Sequence, residues 1–242
     1  MKNLFALSLV LLFAGSTAWS QNDVKIPLIG SDAPTFTAQS TQGKINFPKD
    51  YGKSWKILFS HPQDFTPVCT TEILQLATMK TDFDMLGVKF AVISADDLDR
   101  HKQWISYMES FDFLGKGKQN IDFPLLVDNN LEISKKYGML HYPSSTKKDI
   151  RGVFIIDPEN KVRLINFYPM QIGRDMNEIK RAIIAMQTSD KNNVLTPANW
   201  KPGDDVLIPY APFTASQLKE NPSLKEGYYS LGDQVWFKKL TE

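Results

Sequence analysis

Short apolar runs alternate along the chain with segments whose apolar residues recur every three or four positions, a pattern that predicts a β-sheet layered with helices. Trp55-Lys56-Ile57-Leu58-Phe59-Ser60 reads as the first inner strand. The loop His61-Pro62-Gln63-Asp64-Phe65 follows, then a helix on which Ile73, Leu76, Met79, Phe83 and Leu86 share one face and which Gly87 ends. Val88 to Ala95 is a second buried strand, and Asp96-Asp97 opens a helix with Leu98, Ile105, Met108 and Phe111 on one side. Phe123 to Val127 is a third strand. Gly152 to Ile156 and Val162 to Phe167 make two more, joined by a reverse turn at Asp157-Pro158-Glu159-Asn160. A helix from Met176 to Gln187, with Ile179, Ile183 and Met186 facing inward, closes the unit. The expected fold class is α/β.

The two ends differ from this middle. Lys2 is followed by the apolar run Leu4 to Ala14, broken only by Ser8, and then by small residues, which reads as a secretory signal peptide cleaved near Ser20. As a helix that run would span about 16 Å, too short for a hydrocarbon core of about 30 Å, so stable membrane insertion is not expected. The expected location is periplasmic or secreted. From Thr196 onward Pro197, Pro202, Gly203, Pro209, Pro212 and Pro222 interrupt regular structure. Trp200, Tyr210, Phe213, Tyr228, Tyr229, Trp236 and Phe237 are nevertheless too many aromatics for a solvated linker, and should pack on the main domain or on a second subunit. The expected organisation is a signal over residues 1–20, a main domain over 21–190 and a C-terminal extension over 191–242.

Composition narrows the function. The 242 residues suffice for one sizeable domain with an appendage, and 42% hydrophobic with 23% charged residues is ordinary for a globular protein. With 28 basic and 27 acidic residues the net charge is +1 and no basic run exists, which argues against a nucleic-acid partner. No Gly-rich phosphate loop or dinucleotide fingerprint is present, so no cofactor is expected. His61, His101 and His141 lie far apart without metal-ligand spacing, and no metal is expected; His61 adjoins the loop, whereas His101 and His141 read as helix-surface or loop residues.

One cysteine in the chain excludes an internal disulfide and a Cys-rich zinc site. Thr66 suits an N-cap and Pro67 the first helical position, which puts Cys69 in the first helical turn. Free backbone N–H groups and the positive end of the helix dipole favour a thiolate there, although a buried structural cysteine is the competing reading. Without a partner thiol, dithiol exchange is closed to it. A lone thiolate can still attack a peroxide, become a sulfenic acid and be reduced by a thiol from another molecule. Thr66 could supply a hydroxyl, Arg151 a guanidinium and Glu72, taken as part of the same first turn, an orienting carboxylate. Taken from the local pattern alone, Arg151 is an ordinary strand-end charge.

The segment Phe59-Ser60-His61-Pro62 through Phe65-Thr66-Pro67-Val68-Cys69-Thr70-Thr71-Glu72 resembles the peroxidatic loop of peroxiredoxins, specifically the one-cysteine, peroxiredoxin 6-like subfamily. The likeness extends to Asp99 through Trp104, Phe123 through Leu126, Arg151 through Ile156, Tyr168-Pro169, Gly173-Arg174, Thr196-Pro197 and Asn199 through Lys201. It covers the chain from about Gly30 to the C-terminus. It implies a thioredoxin-like sandwich with a C-terminal dimerisation region, an active site of Pro62, Thr66, Cys69 and Arg151, and supporting roles for His61, Glu72 and Arg174. It also implies a peroxide substrate, an external thiol reductant and a homodimer or higher oligomer. Some members of the subfamily carry a phospholipase site. Here Ser54 keeps the nucleophile's place, but Pro48 and Glu159 fall on the other two positions, and proline cannot act as a base. A redox-sensing binding protein or chaperone without turnover is the competing class.

Overall fold

In a computed structural model the described residues are 25–239; the expected export signal lies outside them. The strands and helices are β1 (Phe36–Ser40), β2 (Gly43–Phe47), β3 (Trp55–Ser60), α1 (Pro67–Thr78), α2 (Lys80–Met85), β4 (Val88–Ser94), α3 (Leu98–Met108), β5 (Leu125–Val127) and α4 (Glu132–Lys136). They continue with β6 (Arg151–Ile156), β7 (Val162–Tyr168), α5 (Met176–Asn192), β8 (Val206–Leu207), α6 (Ala215–Glu220), β9 (Tyr228–Leu231) and β10 (Val235–Lys238).

Seven strands form one mixed sheet in the order β2-β1-β5-β4-β3-β6-β7. The central strands β3, β4 and β5 run parallel, and β6 is antiparallel to β3. This is the thioredoxin-like α/β sandwich. The inner strands are apolar on both faces because helices cover both sides. Ile57, Phe59, Phe90 and Val92 pack with Ile73, Leu76, Trp104 and Ile183 from α1, α3 and α5 on one face. Leu58, Ala91 and Phe154 pack with Ile133 and Tyr137 on the other. Lys56 is buried within β3, its ammonium donating to the Asp157 carbonyl and to Asn160 Oδ1 in the β6–β7 turn.

The expected long helix divides at Met79, whose N–H is shared between the Gln75 and Leu76 carbonyls. The bend lets Phe83 meet Phe90 edge-on, with ring centroids 4.9 Å apart. The third strand begins at Leu125 rather than Phe123, since Pro124 has no N–H for the ladder and only its carbonyl pairs, with Val92 N–H. The last long helix continues past Gln187 to Asn192, where Asn193 closes it with φ 50°.

After α5 the chain turns back onto it. Trp200 is buried with Ala185, Val194 and Val206, and the small sheet β8-β10-β9 follows. Of the tail aromatics, Trp200 and Trp236 are buried, whereas Tyr210 is 84% exposed. No helix among the described residues is long and apolar enough to cross a membrane.

Candidate active site

Phe65 turns the chain left-handed with φ 58°, and α1 begins two residues later at Pro67, where a missing N–H costs nothing. Thr66 occupies the N-cap with an extended backbone, but its hydroxyl caps nothing: it donates to the Gln63 carbonyl at 2.9 Å. The left-handed residue just before it turns the hydroxyl back towards the loop. The first-turn N–H groups are thus not taken up by the expected cap. Cys69 sits in that turn, completely buried.

Arg151 reaches the sulfur through the sheet register. Phe59 pairs with Val153 across β3 and β6, so the chain ends of both strands meet beside the loop that carries Cys69. Ser60 locks this corner: its hydroxyl donates to the Ile150 carbonyl at 2.6 Å and accepts the Gly152 N–H at 2.8 Å. A Cβ at position 152 would come within 3.0 Å of that hydroxyl, which explains the glycine.

The guanidinium of Arg151 is buried, and the reading of an ordinary strand-end charge is wrong because three separate acceptors hold it inside. Nη1 approaches Cys69 Sγ at 3.2 Å and donates to Glu72 Oε2 at 2.7 Å, while Nε and Nη2 both donate to the Met170 carbonyl. Glu72 lies one turn beyond Cys69, not in the first turn. Its Oε1 accepts the Arg174 N–H and Nε at 2.8 Å each, and its Oε2 accepts Arg174 Nη2 at 2.8 Å. Arg174 Nη1 donates to the Ser60 and Gly152 carbonyls, and its guanidinium carbon lies 3.2 Å from the centre of the Phe59 ring. Burial alone would push the Glu72 carboxyl up, but Arg174 and then Arg151 outweigh it and hold it below the usual carboxylate range. Burial lowers the Arg174 guanidinium from its ordinary value against the pull of Glu72.

His61 is also buried, and its partner is Asp64 rather than the sulfur. His101 is not on the helix surface. It faces inward from α3, with Nδ1 at 2.7 Å from Asp64 Oδ2 and Nε2 at 3.2 Å from the Leu126 carbonyl. Burial would raise the Asp64 carboxyl, yet hydrogen bonds from His101 and His61 lower it to about 2. His141 lies in a loop, its ring edge-on to Phe167. Asp64, His101 and the Met170 carbonyl are the members of this corner that the sequence does not single out. For Asp64 a signal exists, a carboxylate three residues from a histidine in the same loop; a backbone carbonyl leaves none.

His61, Asp64 and Asp96 also bring ligand-type atoms within 4.8 Å of one another. Those atoms are already engaged: Asp64 with both histidines, and Asp96 with Ser94, the Asp64 N–H and Arg100. Pro62, Gln63, Thr66, Pro67, Val68, Lys148, Arg151 and Met170 line a mouth of about 250 Å³ beside the Cys69–Arg151 corner. Ser54 lies just before β3 and beside Lys53, which faces Glu159 at 3.6 Å.

The AhpC/TSA family matches residues 29–165, and the C-terminal domain of 1-Cys peroxiredoxin matches residues 185–217. A peroxiredoxin of Methanosarcina mazei is 46% identical over 202 residues, which cover 83% of this chain and 92% of that protein. The solved yeast mitochondrial 1-Cys peroxiredoxin superposes with a TM-score of 0.75 at 38% identity, over 89% of this chain and 100% of that one. A Cys-to-Ser mutant of the peroxiredoxin 6 of Arenicola marina gives a TM-score of 0.75 at 32% identity, over 89% and 99%. The chain belongs to the AhpC/TSA family and is a peroxiredoxin, a thiol-dependent peroxidase that works with a single cysteine and carries the one-cysteine type of C-terminal domain.

Proposed function

We propose that Cys69 is the peroxidatic residue, that Arg151 and Thr66 bind the peroxide with Pro62 shaping the mouth, and that Glu72, Arg174 and His61 support them. The observation that carries this reading is the 3.2 Å approach of Arg151 Nη1 to Cys69 Sγ inside a buried corner. The thiolate attacks one peroxide oxygen and the O–O bond breaks. The departing hydroxide or alkoxide takes a proton and leaves as water or alcohol, and the sulfur is left as a sulfenic acid. Arg151 stabilises negative charge on the sulfur and on the oxygens as it shifts between them. An external thiol then condenses with the sulfenic acid, releasing water, and a second thiol breaks the mixed disulfide to restore Cys69. In the yeast mitochondrial relative the thiol is resolved via glutathione and thioredoxin systems. Both chemistries, a small thiol and a dithiol protein, suit a chain with one cysteine to resolve. The largely apolar mouth suits organic hydroperoxides as well as hydrogen peroxide.

Export to a periplasmic or extracellular compartment belongs to the same proposal, on the strength of Lys2 and the apolar run after it. So does a homodimer, supported by the exposed apolar residues Tyr210, Leu231 and Val235 in the C-terminal extension. Rapid mixing with peroxide, followed by turnover with a panel of thiols, tests the reading. A fast Cys69-dependent reaction that cycles supports it, and a protein that is oxidised once without cycling is a sensor instead.

A further inference from the structure

Asp149 stands two residues before Arg151, at the end of the segment that leads into β6. Its side chain is completely buried, and neither carboxylate oxygen has a hydrogen-bond partner. An unpaired buried carboxylate ion is among the costliest groups a protein can hold. Its surroundings offer little relief. Asp128, in front of α4, and Asp96, after β4, add negative charge on its side. The Ser134 hydroxyl of α4 pulls the Asp149 carboxyl down, less than burial pushes it up, but it donates to Asp128, which also accepts the Ile133 and Ser134 N–H groups. Arg100 of α3 pairs with Asp96, His101 and, through Nε2, His61 pair with Asp64, and the adjacent Lys148 donates to Gln63; the buried Nδ1 of His61 has no partner, Asp149 included. Among the described residues no cation pairs with Asp149.

We propose that Asp149 is carried as a neutral carboxylic acid and acts as a positioning residue, whose ionisation in alkaline solution withdraws Arg151 from Cys69. This rests on the peroxidatic reading of Cys69 and Arg151. The connection is short. Ile150 N–H donates to the Met139 carbonyl, and the Ile150 carbonyl accepts the Ser60 hydroxyl that also receives Gly152 N–H, so these bonds fix the backbone on either side of Arg151. A charge on Asp149 is repelled by Asp128 and Asp96 and gains by reaching water. Residues 142–148 immediately before it are mostly exposed, so the segment that carries it borders solvent. Moving Asp149 towards that solvent pulls Ile150 off Ser60, and Arg151 is the next residue. Burial, reinforced by Asp128 and Asp96, pushes the Asp149 carboxyl up from 3.8 to about 8, which sets the change in the mildly alkaline range.

Peroxide reduction should be measured by stopped flow from pH 7 to about 9.5 in the wild type and in Asp149→Asn, which keeps the shape and cannot ionise. The readout is each protein's ratio of rates at the two ends, with Cys69→Ser as the background. The wild-type ratio should fall reversibly by about threefold or more relative to that of Asp149→Asn; equal ratios overturn the proposal. A carboxyl-carbon NMR titration of wild type, with the Asp149 signal assigned through the variant, reads the acid directly. A midpoint near 8 supports the proposal, and one in the ordinary carboxylate range overturns it. Loss of Cys69-dependent reduction already at pH 7 in the wild type would refute the peroxidatic reading instead, while the titration still decides the state of Asp149.

Discussion

One nitrogen of Arg151 lies 3.2 Å from the sulfur of Cys69 and 2.7 Å from a carboxylate oxygen of Glu72, so the sulfur and a buried anion share the same cation. Glu72 is in turn held by Arg174, leaving two guanidinium groups to one carboxylate in the corner. The excess positive charge is what a thiolate, or the negative oxygens of a reacting peroxide, would balance.

Cys69→Ser should abolish peroxide reduction while preserving the fold, because the hydroxyl fits the same buried space but supplies no appreciable anion near neutral pH. Peroxide consumption and a circular dichroism melt check the two halves. Substantial turnover in this variant would refute the assignment.

Arg151→Met should slow peroxide attack by about 10²- to 10³-fold, the usual loss when one preorganised charge-stabilising donor is removed. Arg151→Lys should recover only part of that rate. An ammonium keeps the charge, yet it cannot reach Cys69, Glu72 and the Met170 carbonyl together as the planar fork does. Wild-type rates in both variants would reduce Arg151 to a structural ion pair.

Glu72→Gln should be damaging twice over. Removing the carboxylate leaves Arg151 and Arg174 buried without their counter-ion, a change of the kind that costs about 3–5 kcal/mol. It also frees Arg151 to swing away from the sulfur. Because the folded state holds the Glu72 carboxyl below its ordinary 4.5, the stability it contributes is present above that value and is lost as the pH falls through the depressed one. Asp64, lowered from 3.8 to about 2, acts in the same direction. Denaturant midpoints between pH 7 and about 3 should therefore fall less steeply in Glu72→Gln than in the wild type.

What the sequence makes legible is what a local pattern encodes. Trp55–Ser60 announces itself as a strand through its short, mostly apolar run, which the structure buries at every position, and Pro67 marks the start of α1 through its own geometry. The hairpin of β1 and β2 escapes notice because it alternates over only five residues per strand, and α4 because its five residues carry too little periodicity. At the site, Cys69 and Thr66 are recognisable from their place at a helix start. The burial of Arg151 is hidden, since it depends on β6 pairing with a strand about ninety residues earlier in the chain. His101 misleads because the residues on either side of it in sequence, Arg100 and Lys102, are charged; its helix-face neighbours Leu98, Trp104 and Ile105 are apolar, and the distant Asp64 supplies the buried partner that its ring needs.

The single sulfur also fixes what happens when reductant is missing. With no second cysteine in the chain, a sulfenic acid at Cys69 cannot be trapped as an intramolecular disulfide, and a further peroxide competes directly with the external thiol. The competition is unequal, because the sulfur is completely buried, and the neighbouring cavity of about 250 Å³ is lined by Thr66 and Arg151 but not by Cys69. A thiol must bring its own sulfur into line with Cys69, and the bulk it carries is harder to seat against a buried sulfur than a peroxide is. Excess peroxide alone should therefore drive Cys69 to sulfinic and sulfonic acid, with irreversible loss of activity. A small thiol present from the start should protect it in proportion to its concentration, leaving a mixed disulfide that more thiol releases. Intact mass spectrometry distinguishes the products, expecting gains of two or three oxygens in the first case and a reducible adduct in the second. A disulfide-linked homodimer through Cys69 as the dominant product would mean that two subunits resolve each other, and resolution by an external thiol would then be wrong.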